Sequence, residues 1–315
     1  MMKLICRYRF RFLCGLVALV ALSTGAVARW GCKTMEGVTQ VGTSVGVNTG
    51  VISSAHADSI TKSVSAVSRT FEDITPEQEY YLGRAVAAVI AGKYRLYNDQ
   101  PANLYINKIG QTLALASDRP ETFGGYHFMI LDSDEINAFA APGGLVFVSR
   151  GLLRCAISED QVAAVLAHEV AHVQERHALK SINNSRLTTA LSVIALEGAK
   201  TYSGGNLSDL VTAFEGSITD MTQTLFTNGY SRTTELEADA AALTILRRVG
   251  YDPNALVQTL GRMGQRLSPG GLDFAKTHPS PASRIEQIKG QVESAPQVKP
   301  SAARQARYAL ALGQI

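Results

Sequence analysis

The sequence predicts an α+β domain, mostly helical, with a small sheet. Two patterns carry that prediction. Apolar residues recur at helical spacing in several stretches, each opened by a Ser or Thr cap or a proline. One apolar run, Tyr126 to Leu131, has strand length instead, and Pro142-Gly143-Gly144 reads as a hairpin turn leading into Leu145-Val146-Phe147-Val148.

The elements follow in order. Lys3, Arg7, Arg9 and Arg11, an apolar stretch from Phe12 to Leu22, and Ala26-Val27-Ala28 form the three parts of a secretory signal peptide, residues 1–28. The apolar stretch is shorter than the ~20 residues that span a bilayer, which disfavours an uncleaved anchor. The expected location is the periplasm. Lipidation at Cys32, which would bring peripheral membrane association, is the weaker reading, because Arg29 and Trp30 stand where a lipobox wants Leu and a small residue. Residues 29–70, rich in Gly, Ser, Thr and Val, read as a flexible leader. The main domain is placed at 71–290. Thr75 with Pro76 behind it opens a helix, and Pro101 opens another carrying Leu104, Ile106, Ile109, Leu113 and Leu115. Ser158 and Gln161 form a capping-box pattern ahead of Val162, Val165, Leu166, Ala167 and Val170. Leu187 to Leu196, Gly204-Gly205, and then Leu210, Phe214, Ile218, Met221 and Leu225 suggest a helical hairpin roofing a cleft, with simple core packing as the rival. Ser231 to Leu243 is a further helix. Residues 291–315 form a tail with a short helix from Ser301 to Leu312, too short for helical repeats of ~34 residues.

Chemistry concentrates in His168-Glu169-Val170-Ala171-His172. At about 100° per residue, positions 168, 169 and 172 share one face of a helix. Two neutral imidazoles on one turn suit zinc, and the intervening carboxylate is placed to take a proton from a zinc-activated water. A third ligand is needed. Ala178 stands where a metzincin would carry its third His, so that pattern is excluded. The helix from Ser231 offers Glu235 and Asp239, four apart on one face. Glu235 is therefore expected to bind zinc, and Asp239 to accept the spare N–H of a ligand imidazole. Glu237 lies about 200° round from Glu235 and is expected to be solvated or structural. His177, five residues after His172, is expected to point away from the ligands into solvent.

These segments resemble the HtpX-type zinc endopeptidases, a gluzincin group that also contains the CAAX prenyl proteases. Besides His168, Glu169 and His172, the likeness is carried by Ser231-Arg232 with Glu235-Leu236-Glu237-Ala238-Asp239, by Thr277-His278-Pro279-Ser280-Pro281-Ala282-Ser283-Arg284-Ile285, and by Asn137-Ala138-Phe139-Ala140-Ala141-Pro142-Gly143-Gly144. In order, the blocks cover roughly residues 75 to 290. The resemblance implies one Zn2+ per chain and a gluzincin fold whose edge strand lies beside the active-site helix. It implies an endopeptidase that cleaves misfolded or unassembled envelope proteins, with a connection to outer-membrane assembly machinery. It also implies that Asn137, Ala138, Phe139 and Ala140 receive substrate as an added strand, with a plain core hairpin as the alternative. His278 is implied at the site, either stabilising an oxyanion or blocking the open metal position. The second functional reading is a zinc-containing holdase or assembly factor whose proteolysis is latent.

Charge excludes a nucleic-acid partner. The chain carries +3, but the signal peptide holds four basic residues and no acids, which leaves 26 Lys/Arg against 27 Asp/Glu, a charge of −1. Basic clusters with interleaved aromatics are absent from the body. Cys32 and Cys155 remain after the signal peptide, either as a pair or as two separate thiols.

Overall fold

The computed structural model of the chain describes residues 74–182, 215–266, 278–294, 298–299 and 301–315. The expected signal peptide, the expected leader with Cys32, and most of the expected roof lie outside the described residues. In order, the elements are α1 (Pro76–Lys93), α2 (Gln100–Leu115), β1 (His127–Leu131), β2 (Ala138–Ala141), a 3-10 turn (Pro142–Gly144), β3 (Leu145–Ser149), α3 (Arg150–Leu153) and α4 (Glu159–Gln174). There follow α5 (His177–Lys180), α6 (Glu215–Gln223), a π-helical turn (Thr224–Asn228), α7 (Arg232–Val249), α8 (Asn254–Arg266), α9 (Pro281–Glu293) and α10 (Ala302–Leu312). This is the mostly helical α+β architecture that the periodicity predicts.

Helix starts follow their caps. Thr75 and Gln78 close a reciprocal capping box at α1. At α4 only half of the box forms. The Ser158 hydroxyl accepts from the Gln161 amide, while the Gln161 side chain reaches past Ser158 to the Ile157 amide. Ser231 caps α7 through the Thr234 amide, and Gly250, with φ of 74°, ends it in the left-handed region.

α4 is the centre of the molecule, with 14 of its 16 residues buried. Ala163, Ala164, Ala167 and Ala171 keep it thin, so α2, α7, α8 and the sheet can all close on it. Its N-terminus is tied to the chain end by buried Glu159, which accepts from Tyr105, Tyr251 and Arg307 of α10.

The sheet runs β1-β3-β2, with β1 parallel and β2 antiparallel to β3. The hairpin turn fits closely under α1. A Cβ on Gly83 would stand 1.8 Å from the Pro142 carbonyl oxygen, and Gly143, at φ 73°, donates its amide to buried Glu79. Glu79 is itself held by both terminal nitrogens of Arg119 at 2.8 Å.

The two sheet edges differ. Along the outer edge of β1, the Asn107 side chain donates to the Phe128 carbonyl and accepts from the Phe128 amide, while Asn103 accepts from the Ile130 amide. Side chains on α2 thus stand in for a neighbouring strand. Among the described residues, β2 has no such dressing from a neighbouring element. Phe139 faces Phe147 and Asn137 carries the next hydrogen-bonded pair with Ser149, so alternation turns the backbone groups of Ala138 and Ala140 away from β3. The Ala138 amide is taken by the Asn137 side chain.

Candidate active site

α4 presents His168, Glu169 and His172 toward α7. The two Nε2 atoms lie 3.1 Å apart, and Glu235 of α7 brings Oε2 to 3.5 Å from that of His168 and Oε1 to 3.5 Å from that of His172. Ligands about 2.05 Å from a tetrahedral zinc stand roughly 3.3 Å from one another, so this spacing fits a single ion. Among the described residues the buried Glu235 Oε2 atom has no hydrogen-bond partner, with His168 Nε2 at 3.5 Å and the Arg284 guanidinium at 3.4 Å. His278, just ahead of α9, brings Nδ1 to 2.7 Å from Glu235 Oε1. Together His168, His172, Glu235 and His278 offer four ligand atoms within 4.8 Å of one another, all buried.

Behind this cluster, His168 Nδ1 lies 3.0 Å from Asp239 Oδ1. Asp239 is gripped by Arg284 of α9, through Nε at 2.9 Å and a terminal nitrogen at 2.5 Å, and the same guanidinium lies 3.4 Å from Glu235. The acids that four-residue spacing puts on one face therefore share one arginine.

Carboxylates and imidazoles shift one another at the centre. Burial raises the Glu235 carboxyl, but the surrounding imidazoles outweigh it and hold the group well below its usual range. Burial and Arg284 push His168 down, yet the Asp239 and Glu235 carboxylates prevail and lift it to about 9. His172 falls to about 4 through burial. Desolvation raises Glu169 to about 7, with Glu235 adding to the rise.

Glu169 lines a narrow cavity of about 10 Å³ together with Ala138 to Ala140, Thr224, Leu225, Tyr230 and His278. Two of these groups were not expected from the sequence. Tyr230 stacks on His172 at 4.6 Å, with its hydroxyl buried and without a hydrogen-bond partner among the described residues. The π-helical turn covers β2, with Phe226 edge-on to Phe139 at 5.1 Å.

His177 departs from expectation. It is buried, not solvated, with Nδ1 2.9 Å from His172 Nδ1. The reason is local: α4 ends at Gln174, and Arg176 adopts the left-handed conformation (φ 55°, ψ 35°), which swings the next residue back under the ligands. Helical spacing no longer applies across that reversal. Half-exposed Glu237 meets His177 Nε2 at 3.3 Å, so this histidine is a partner of its carboxylate.

Residues 101–292, more than half of the chain, match the family described as Peptidase family M48. The chain belongs to peptidase family M48. Among its M48-type relatives, the beta-barrel assembly-enhancing protease of Escherichia coli (strain K12) is 29% identical over 216 residues, 68% of this chain and 44% of that protein. The putative beta-barrel assembly-enhancing protease of Vibrio cholerae is 29% identical over 233 residues, 72% of this chain and 46% of that protein. The mitochondrial metalloendopeptidase OMA1 of Schizosaccharomyces pombe is 31% identical over 232 residues, 70% of this chain and 63% of that protein. This M48 chain spans less than half the length of the bacterial relatives it matches. Among its described residues, no helix is long and apolar enough to cross a membrane.

Proposed function

We propose that this chain is a zinc-dependent endopeptidase of the periplasm that acts on misfolded or unassembled envelope proteins. The observation that carries the reading is the buried His168, His172 and Glu235 triad, spaced for one tetrahedral ion, with the Glu169 carboxyl beside it. His168, His172 and Glu235 would hold zinc, and the ion would supply Lewis acidity toward a water and a scissile carbonyl. Glu169 would take the proton from that water and return it to the leaving amine. Asp239 accepts the Nδ1 proton of His168, so that Nε2 keeps its lone pair toward the ion. His278 stabilises the oxyanion or gates the site. The outward backbone groups of β2 at Asn137 to Ala140 pair with an extended substrate, which gives little sequence preference. The names of the bacterial relatives support an envelope client and a link to outer-membrane assembly.

The π-helical turn over β2 favours a second reading in one respect: proteolysis is latent until Thr224–Asn228 withdraws, and the closed form acts as a holdase. Casein cleavage by the zinc-loaded chain, beside Glu169→Gln at matched zinc content, tests both. The peptidase reading expects cleavage that chelation abolishes, zinc restores and Glu169→Gln lacks. A folded, zinc-loaded wild type that cleaves nothing favours latency.

A further inference from the structure

The two ligand imidazoles are supported from behind in different ways. His168 Nδ1 meets the carboxylate of Asp239 directly. His172 meets another imidazole: its Nδ1 lies 2.9 Å from His177 Nδ1, and His177 Nε2 lies 3.3 Å from Glu237 Oε2. Because His172 Nε2 faces the cluster and must keep its lone pair there, its proton sits on Nδ1 and is donated to His177. The His177 proton is then confined to Nε2, where Glu237 accepts it. One tautomer dictates the next, from a buried ligand to a carboxylate that is 51% exposed. Tyr230 holds the same His172 ring from its face, so edge and face are both fixed.

We infer that His177 is a positioning residue of the metal centre, a neutral acceptor aligned by Glu237 that sets the ring orientation and tautomer of His172. The inference rests on the proposed zinc site. It makes the second ligand's support longer and more accessible to solvent than that of the first, with its last member on the surface of α7.

The test is zinc affinity of the full chain, measured by competition with a chromophoric chelator, beside circular-dichroism melting of the zinc-free protein. His177→Phe keeps the buried ring volume but offers no acceptor, and is expected to weaken zinc binding ~10–100-fold. His177→Asn places an oxygen where Nδ1 stands and is expected to recover most of that loss. Glu237→Leu, at a half-exposed position where the fold is least at risk, should weaken binding by about threefold or more. Wild-type affinity in a folded His177→Phe overturns the inference. So does an equal loss in His177→Phe and His177→Asn, which would mean that the histidine only packs. Should His177→Phe fail to fold, unchanged affinity in Glu237→Leu overturns it instead. A wild-type chain that binds no zinc sinks the metal reading itself, whereas tight wild-type binding with indifferent variants sinks only the role of His177.

Discussion

Replacing Arg284 with Met should separate the zinc-free from the zinc-loaded protein. Arg284 is buried, grips Asp239 with two nitrogens and lies 3.4 Å from Glu235. Burial alone would raise the Asp239 carboxyl, but the guanidinium and His168 hold it well below its usual range, so the acid is ionised in the fold. Met fills much of the volume and leaves that carboxylate with only the His168 imidazole beside it. Removing one partner of a buried ion pair costs about 3–5 kcal/mol. In a domain of this size each kcal/mol lowers Tm by roughly 2–4 °C, so the zinc-free variant should melt about 6–20 °C below the zinc-free wild type. With zinc bound at Glu235 and His168, the dication takes over part of the neutralisation, and the deficit should shrink to about half or less. Scanning calorimetry in chelator and in saturating zinc reads both numbers. An equal deficit in the two conditions would refute the idea that Arg284 and the ion compensate the same carboxylates. A loss under about 1 kcal/mol in chelator would refute the buried-charge argument itself.

Phe226→Ala should uncover β2, raising kcat/KM on an unfolded substrate several-fold while costing less than the about 3–5 kcal/mol of a fully buried Phe; unchanged kinetics would remove the turn as a cover. Alkaline stability should report Tyr126, whose hydroxyl donates to the Arg119 carbonyl and whose pKa burial pushes up to about 12. The folded value lies above the ordinary 10, so this contribution is complete below pH 10 and lost as pH rises toward 12, at about 1.4 kcal/mol per pH unit; Tyr126→Phe should flatten that decline in thermal melts. Asn107→Ala removes both bonds to Phe128 and should cost about 1–3 kcal/mol, with concentration-dependent association visible by light scattering as the β1 edge is bared.

Much of this architecture is written locally in the chain. The caps at Thr75, Ser158 and Ser231, the Pro142 to Gly144 turn, and the shared helix face of His168, Glu169 and His172 all follow from residues a few positions apart or from helical phase, whereas Glu235 is reached only by asking what third ligand two histidines need. What lay beyond reach depends on distant partners. The parallel pairing of β1 with β3 joins Phe128 to Val146 across the whole of β2, and no local pattern specifies it. Arg284 was visible six residues after His278, yet its partners lie 45 and 116 positions away, so periodicity could not assign it. His177 was misplaced because a single left-handed residue at Arg176 reset the helical phase. Tyr230 carried a weak signal, the residue immediately before the Ser231 cap, but nothing in the pattern tied an aromatic there to the face of His172.

The burial of α4 bears on how the site can fail. A helix enclosed on every side exchanges its amide hydrogens only when the surrounding structure opens, so the backbone at His168 and His172 should be among the slowest to exchange in the protein. Of Thr224–Asn228, against the outer strand, only Leu225 is buried among the described residues, so this turn should open at lower free energy. In the proposed enzyme, access to the site and integrity of the site would thus lie on different rungs of the same ladder of opening events, and substrate would enter many times over without His168 and His172 ever leaving the core.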